Sequence, residues 1–147
     1  MNALASVSRI SKVFGEGETQ VTALADADLS IHPGEILLIE GPSGSGKTTL
    51  ISILGLLMRP TSGTVFVRGN DVTKLPERAL PELRASMFGF IFQGFNLFPA
   101  LTALENVALA IQMKGAKGRA AETEAKKLLV SVGLETRMHH LPANLSG

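Results

Sequence analysis

The stretch from Gly41 to Thr49, Gly-Pro-Ser-Gly-Ser-Gly-Lys-Thr-Thr, is where this chain concentrates groups able to do chemistry together. It fits the spacing G-x-x-x-x-G-K-[ST] through Gly41, Gly46, Lys47 and Thr48. Glycines at those intervals let the main chain wrap closely, so that successive N–H groups point into one concavity. A helix starting at the same place adds the positive end of its dipole. Both features stabilise the negative charge of phosphate. Lys47 adds a flexible ammonium able to reach the β- and γ-phosphates, and Thr48 adds a hydroxyl for Mg²⁺. The alternative is a ligand-free Gly/Ser linker, and the flanks argue against it. The apolar run Ile36-Leu-Leu-Ile39 comes just before, and Leu50, Ile53, Leu54 and Leu57 follow at helical spacing until Pro60. The loop by itself does not separate kinases, GTPases and ATP-driven motors. Glu40 sits at the end of the same apolar run and reads as a solvated charge rather than a catalytic base.

These groups need elements to position them. Val21, Ala23, Ala25, Ala27, Leu29 and Ile31 alternate with polar residues, which predicts a half-buried strand with that set on one face. Ser6 to Phe14 is a weaker strand able to pair with it. Ile36–Ile39 lacks alternation, as a strand covered on both faces in a parallel sheet would. Thr64 to Arg68 is a short strand, and Met87 to Phe92 is a second buried strand. Thr102 and Glu105 form a capping box opening a helix whose inner face is Leu104, Val107, Ala108 and Ile111. A later helix presents Ala125, Leu128, Leu129 and Val132, with Glu122 and Lys126 paired four apart. Phe88, Phe90, Phe92, Phe95 and Phe98 read as core packing, a reading favoured for the first three.

Bulk properties exclude several classes. The 14 Lys+Arg against 13 Asp+Glu leave a net charge of +1, which argues against a nucleic-acid binder driven by charge. There are no cysteines, hence no disulfide and no thiolate metal site. The N-terminal residues lack the pattern of a signal peptide. The greasy stretch from Leu50 to Met58 falls well short of a membrane span. The expectation is a soluble protein that reaches a membrane only through a partner.

The order of the motifs is the more specific signal. A phosphate loop is followed by Phe90-Ile-Phe-Gln93, then Gly-Phe-Asn-Leu-Phe-Pro-Ala-Leu-Thr-Ala-Leu-Glu-Asn-Val107, and finally Leu145-Ser146-Gly147. This arrangement strongly resembles the ATP-binding cassette (ABC) transporter ATPase domain, over nearly the whole chain from about Ser6. Within that family it is most similar to cassettes serving lipoprotein-release, macrolide-export and cell-division-type permeases. The resemblance implies an α/β P-loop NTPase with an N-terminal antiparallel β subdomain, a partial parallel core sheet and a C-terminal helical subdomain. It places the β subdomain and phosphate-loop core in residues 1–92, and the glutamine loop and helical subdomain in 93–147.

The resemblance also implies roles. Phe14 matches the aromatic that stacks on adenine, more often Tyr in the family. Gly41, Pro42, Ser43, Gly44, Ser45, Gly46, Lys47, Thr48 and Thr49 match the ATP phosphate cradle. Thr48 and Gln93 match Mg²⁺ ligands, and Gln93 also matches the residue near the attacking water that senses the permease. Phe95 to Pro99, with Phe98 among them, match the surface gripping a membrane permease subunit. Leu145, Ser146 and Gly147 match the start of the L-S-G-G-Q signature, which contacts nucleotide held by a second ATPase subunit. The family's Asp-Glu strand and switch histidine find no match in these residues, because His139 and His140 precede the signature and His32 lies beside a turn. The core sheet is therefore expected to be incomplete, with Ile36–Ile39 and Met87–Phe92 lacking neighbours. The implied protein couples ATP hydrolysis to transport, export or lipoprotein release, from the cytoplasmic face of the membrane. A non-hydrolysing nucleotide- or permease-binding remnant, or another P-loop kinase, is the alternative.

Overall fold

The computed structural model describes residues 3–145, in two compact units, Met1–Phe88 and Gly89–Gly147. The first is built on a four-stranded antiparallel sheet in the order β2-β1-β3-β4. Here β1 is Ala5–Phe14, β2 Val21–Ile31, β3 Ser62–Val67 and β4 Asn70–Asp71. Two helices belong to this unit, α1 (Lys47–Leu54) and α2 (Leu80–Met87). Its core joins Ala5, Val7 and Ile10 of β1 and Val65 and Val67 of β3 to Ile53 and Leu54 of α1.

Both long strands were expected, and Leu29 and Ile31 of β2 face the core as alternation predicts, but strict alternation does not hold along either strand. Val7 and Ile10 are both buried although three apart, so β1 cannot keep strict alternation. The break is a bulge: Arg9 has φ 47°, and Asp26 opposite has φ 45°. Each bulge frees an N–H that a side chain captures. Arg9 N–H donates to Asp28 Oδ1 at 3.0 Å, and Asp26 N–H to Ser11 Oγ at 3.1 Å. Beyond the bulge the phase of β2 shifts. Leu24 packs on the core beside Leu29 and Ile31, while Val21 and Ala25, assigned to the inner face by alternation, are exposed.

Helix α1 stops at Leu54, before Pro60 is reached. Leu56 adopts φ 59° and closes the end: its N–H donates to Ile53 C=O at 3.0 Å, and Leu57 N–H donates to Ser52 C=O at 2.8 Å. A left-handed leucine is unfavourable, and burial of its side chain among the core residues offsets that cost. Leu57, expected on the inner face, is exposed as a result. Arg59 then ties the following loop to the segment before α2. Its guanidinium donates to Thr73 C=O at 2.7 Å, to Leu75 C=O and to the Glu77 carboxylate.

The two stretches expected as parallel core strands are in no ladder. Ile36–Ile39 forms no regular element and pairs with no strand, and Ile36 is 99% exposed. Met87 ends α2 instead of starting a strand, and Ile91 is fully exposed. The pairing among the described residues is antiparallel throughout. A buried parallel strand is stable only with hydrogen-bonded neighbours on its edges, and neither stretch has a ladder partner among the described residues. Phe88 does pack on the first core. Phe90 and Phe92 stack on each other at 5.7 Å, with Phe92 exposed rather than buried.

The second unit pairs α3 (Ala103–Met113) with α4 (Arg119–Ser131). Leu104 and Ala108 are buried against Ala125 and Leu129, with Val107 and Ile111 alongside. Ala121 is also buried, whereas Leu128 and Val132, expected on this face, are exposed. The inner stripe of α4 therefore runs at intervals of four, Ala121-Ala125-Leu129, and two alanines let the helices approach closely. The Glu122–Lys126 pair forms at 2.7 Å on the outer face.

The start of α3 satisfies its orphan donors from three sources. Ala103 N–H donates to His140 C=O and Leu104 N–H to Met138 C=O, both at 2.9 Å. Glu105 N–H donates to Thr102 Oγ1 at 3.3 Å, and Thr102 N–H returns to Glu105 Oε2 at 2.7 Å. The Thr102 N–H and hydroxyl hold the Glu105 carboxyl below its ordinary pKa. A depressed carboxylate contributes stability that is complete above the unfolded pKa and is lost as pH falls through the lower folded value. Thr102→Ala should cost about 1 kcal/mol of stability in this unit. It should also flatten the acid limb of its stability–pH curve, as read from urea melts across the acid range. An unchanged acid limb would show that the box contributes nothing.

Candidate nucleotide site

The phosphate loop is assembled by contacts that reach back to β2. Gly46 precedes α1 with φ 88°, and no side chain caps the helix. A Cβ on Gly46 would lie 2.3 Å from Ala23 O and 2.8 Å from Leu24 Cδ2. The shifted phase of β2 thus brings its backbone directly against the loop, and only glycine fits. Gly41 and Gly44 also have positive φ, 153° and 81°. The first intrahelical bond is Leu50 N–H to Gly46 C=O at 2.8 Å, so the N–H groups of Lys47, Thr48 and Thr49 belong to the unpaired first turn.

Lys47 folds over the loop. Its ammonium donates to Gly41 C=O at 2.7 Å, Pro42 C=O at 2.6 Å and Ser45 Oγ at 3.3 Å. One side chain therefore gathers Gly41, Pro42 and Ser45 around the helix start. Thr48 is exposed and Thr49 half-buried in the same turn, and Ser43 and Gly44 form the exposed tip. The donor set suits a phosphate chain. It offers an uncapped helix N-terminus, one ammonium and a free hydroxyl, with a glycine cradle that a Cβ would fill.

Phe14 ends β1, two-fifths exposed, with Lys12 Nζ 5.1 Å from its ring centroid. That ring face already attracts a cation. Glu40 is exposed, as are His32, His139 and His140. Among the described residues no group of three or more His, Cys, Asp or Glu could hold a metal. No helix among them is long and apolar enough to cross a membrane.

Gln93, Phe95 and Phe98 belong to the second unit. Gln93 is exposed in a turn. Phe95 and Phe98 are 67% and 57% exposed, so neither packs in a core. Leu145 packs against the α3–α4 core. Ser146 and Gly147 lie outside the described residues. Three residues were missed by sequence reading. Gly63 has φ 91°, with its ideal Cβ 2.3 Å from Arg9 O at the bulge. Ala121 is a small residue in the α4 stripe. Asn106 has a side-chain amide bonded to the Phe98 loop. Only Asn106 carried a signal, a half-amphipathic helix with an amide on its loop-facing side.

Comparison with known proteins agrees with this geometry. The family model described as ABC transporter matches residues 24–147. An uncharacterized ABC transporter ATP-binding protein of Thermotoga maritima is 46% identical over 92% of this chain and 58% of its own length. The lipoprotein-releasing system ATP-binding protein LolD of Geobacter metallireducens is 43% identical over the whole chain and 65% of its own length. The macrolide export ATP-binding/permease protein MacB of Salmonella choleraesuis is 45% identical over the whole chain, which spans 23% of it. The chain thus spans less than two thirds of each of these relatives. Among solved structures, the dimeric ATP-binding cassette MJ0796 in a post-hydrolysis state bound to ADP and Pi matches with a TM-score of 0.87 at 37% identity. That match covers 97% of this chain and 63% of the other. A likeness of this extent, with the sheet, the loop and the helical unit all included, makes the fold that of an α/β P-loop ATPase cassette and leaves no room for a P-loop kinase: the chain belongs to the ABC transporter family.

Proposed function

We propose that this chain is the nucleotide-binding part of an ABC transporter ATPase, coupling ATP binding and hydrolysis to transport by a membrane permease. The observation that carries this reading is Lys47 closing over a glycine loop at an uncapped helix start. On binding ATP, the ammonium exchanges the carbonyls of Gly41 and Pro42 for phosphate oxygens. The N–H groups of the first turn orient the same phosphates. Phe14 offers its ring face to the adenine. Thr48 would offer its hydroxyl to Mg²⁺, which supplies positive charge against the phosphate oxygens when bound.

The names of its relatives favour export or lipoprotein release. The dimeric neighbour favours a second ATPase subunit, whose nucleotide Leu145, Ser146 and Gly147 would approach. The exposed Phe95 and Phe98 favour a permease contact, which would hold the protein at the cytoplasmic face of the membrane. Turnover also needs a carboxylate base and a switch histidine that residues 1–147 do not supply in the family's order. We therefore infer that these residues alone bind nucleotide without hydrolysing it. Isothermal titration with Mg-ATP tests the reading: saturable one-site binding is expected, and its absence in the folded protein would reject it.

A further inference from the structure

Five apolar side chains between Ile91 and Phe98 are exposed, and Phe95 and Asn96 take left-handed φ values of 58° and 50° in succession. For a phenylalanine such a backbone is an outlier that persists only where its surroundings hold it. Backbone bonds close the tip itself, Phe95 N–H to Phe92 C=O at 3.2 Å and Asn96 N–H to Gly94 C=O at 2.6 Å, and one side chain ties its Phe98 end to α3. Asn106, half-buried on α3, accepts from Phe98 N–H through Oδ1 at 2.8 Å. Its Nδ2 donates to Phe98 C=O at 3.1 Å, Leu101 C=O at 2.9 Å and Thr102 C=O at 3.0 Å. Toward Phe98 the amide acts as the peptide of a neighbouring strand would, pairing with both N–H and C=O. Toward Leu101 and Thr102 it closes the turn that leads into the capping box.

We propose that Asn106 is a positioning residue that locks the Phe95–Phe98 loop onto α3, so that the aromatic tip is presented to its partner in one conformation. The partner is the permease segment of the proposed function, and the inference rests on that reading. A preorganised tip loses little entropy on binding, which favours affinity. It also makes a push on Phe98 a push on α3. The first turn of α3 is bonded through Ala103 and Leu104 to the segment carrying Met138 and His140, which leads to Leu145.

The test compares Asn106→Ala and Asn106→Asp in the intact protein by residue-resolved amide exchange. In both variants Phe98 and Leu101 N–H should exchange about tenfold faster, as local opening becomes easier. Ala103 and Leu104 N–H, bonded to other carbonyls, should keep their protection and report that the helical unit is folded. Asn106→Asp should be no better than Asn106→Ala, because a carboxylate would face three carbonyls. Rescue by Asp, or unchanged exchange at Phe98, would overturn the latch. In a second measurement, retention of the protein by permease from solubilised membranes is read in a pull-down, with no ATP turnover required. Both Asn106 variants and Phe98→Ala should lower retention. Normal retention of Phe98→Ala would reject the permease contact while leaving the exchange result standing. Normal retention of the Asn106 variants alone would reject positioning.

Discussion

Lys47→Ala is expected to lower Mg-ATP affinity by roughly 30- to 150-fold, the loss of about 2–3 kcal/mol of charge-assisted hydrogen bonding. The ammonium is already at hydrogen-bonding distance from three loop oxygens, so it is in place before nucleotide arrives. Its three loop bonds are to neutral acceptors within six residues of sequence, so their removal should leave the fold standing. Binding and stability are then separable: titration calorimetry should show the loss, and thermal melting without nucleotide should shift little. Lys47→Arg is expected to fail as well. The planar guanidinium is larger and rigid, and it cannot replace a point charge gathered by two adjacent carbonyls. Wild-type affinity in Lys47→Ala would mean that the loop is not where nucleotide binds.

Gly46→Ala is expected to destabilise the first unit by about 2–5 kcal/mol. The left-handed backbone contributes ~1–2 kcal/mol and overpacking ~1–3 kcal/mol. The clash is with main chain, Ala23 O at 2.3 Å, which cannot swing aside as a flexible side chain would. Gly44→Ala is the control. It shares a positive φ of 81°, but nothing lies within 4 Å of its ideal Cβ. It should cost only the backbone penalty, about 1–2 kcal/mol. Urea denaturation of both variants measures the difference. Equal midpoints would show that Gly46 is not pressed against β2.

The loop itself was legible because its chemistry is local. Glycine positions, the lysine and the helix start are all written within nine consecutive residues. The capping box at Thr102 and the Glu122–Lys126 pair were legible for the same reason, since each is a contact between residues three or four apart. The strand phase was not. Alternation assumes an unbroken pleat, and the bulges at Arg9 and Asp26 depend on Asp28 and Ser11 from the opposite strand. Helical periodicity likewise placed Leu57, Leu128 and Val132 inside. Burial followed what each helix packs against: it kept Ala125 and Leu129 inside as expected and favoured Leu56 and Ala121 over the others.

Residue order was enough to establish that the chain carries a phosphate loop, a glutamine turn and a capped helix in the succession of a transport ATPase. Those features depend on spacing along one strand of chain, where covalent geometry sets the distances. Tertiary packing decided why the loop tolerates only glycine at position 46, and which residues anchor the aromatic tip. Both answers lie in contacts between distant segments, the backbone at Ala23 against Gly46 and the amide of Asn106 against Phe98. Packing brings such segments together, and no local pattern encodes which atoms will meet.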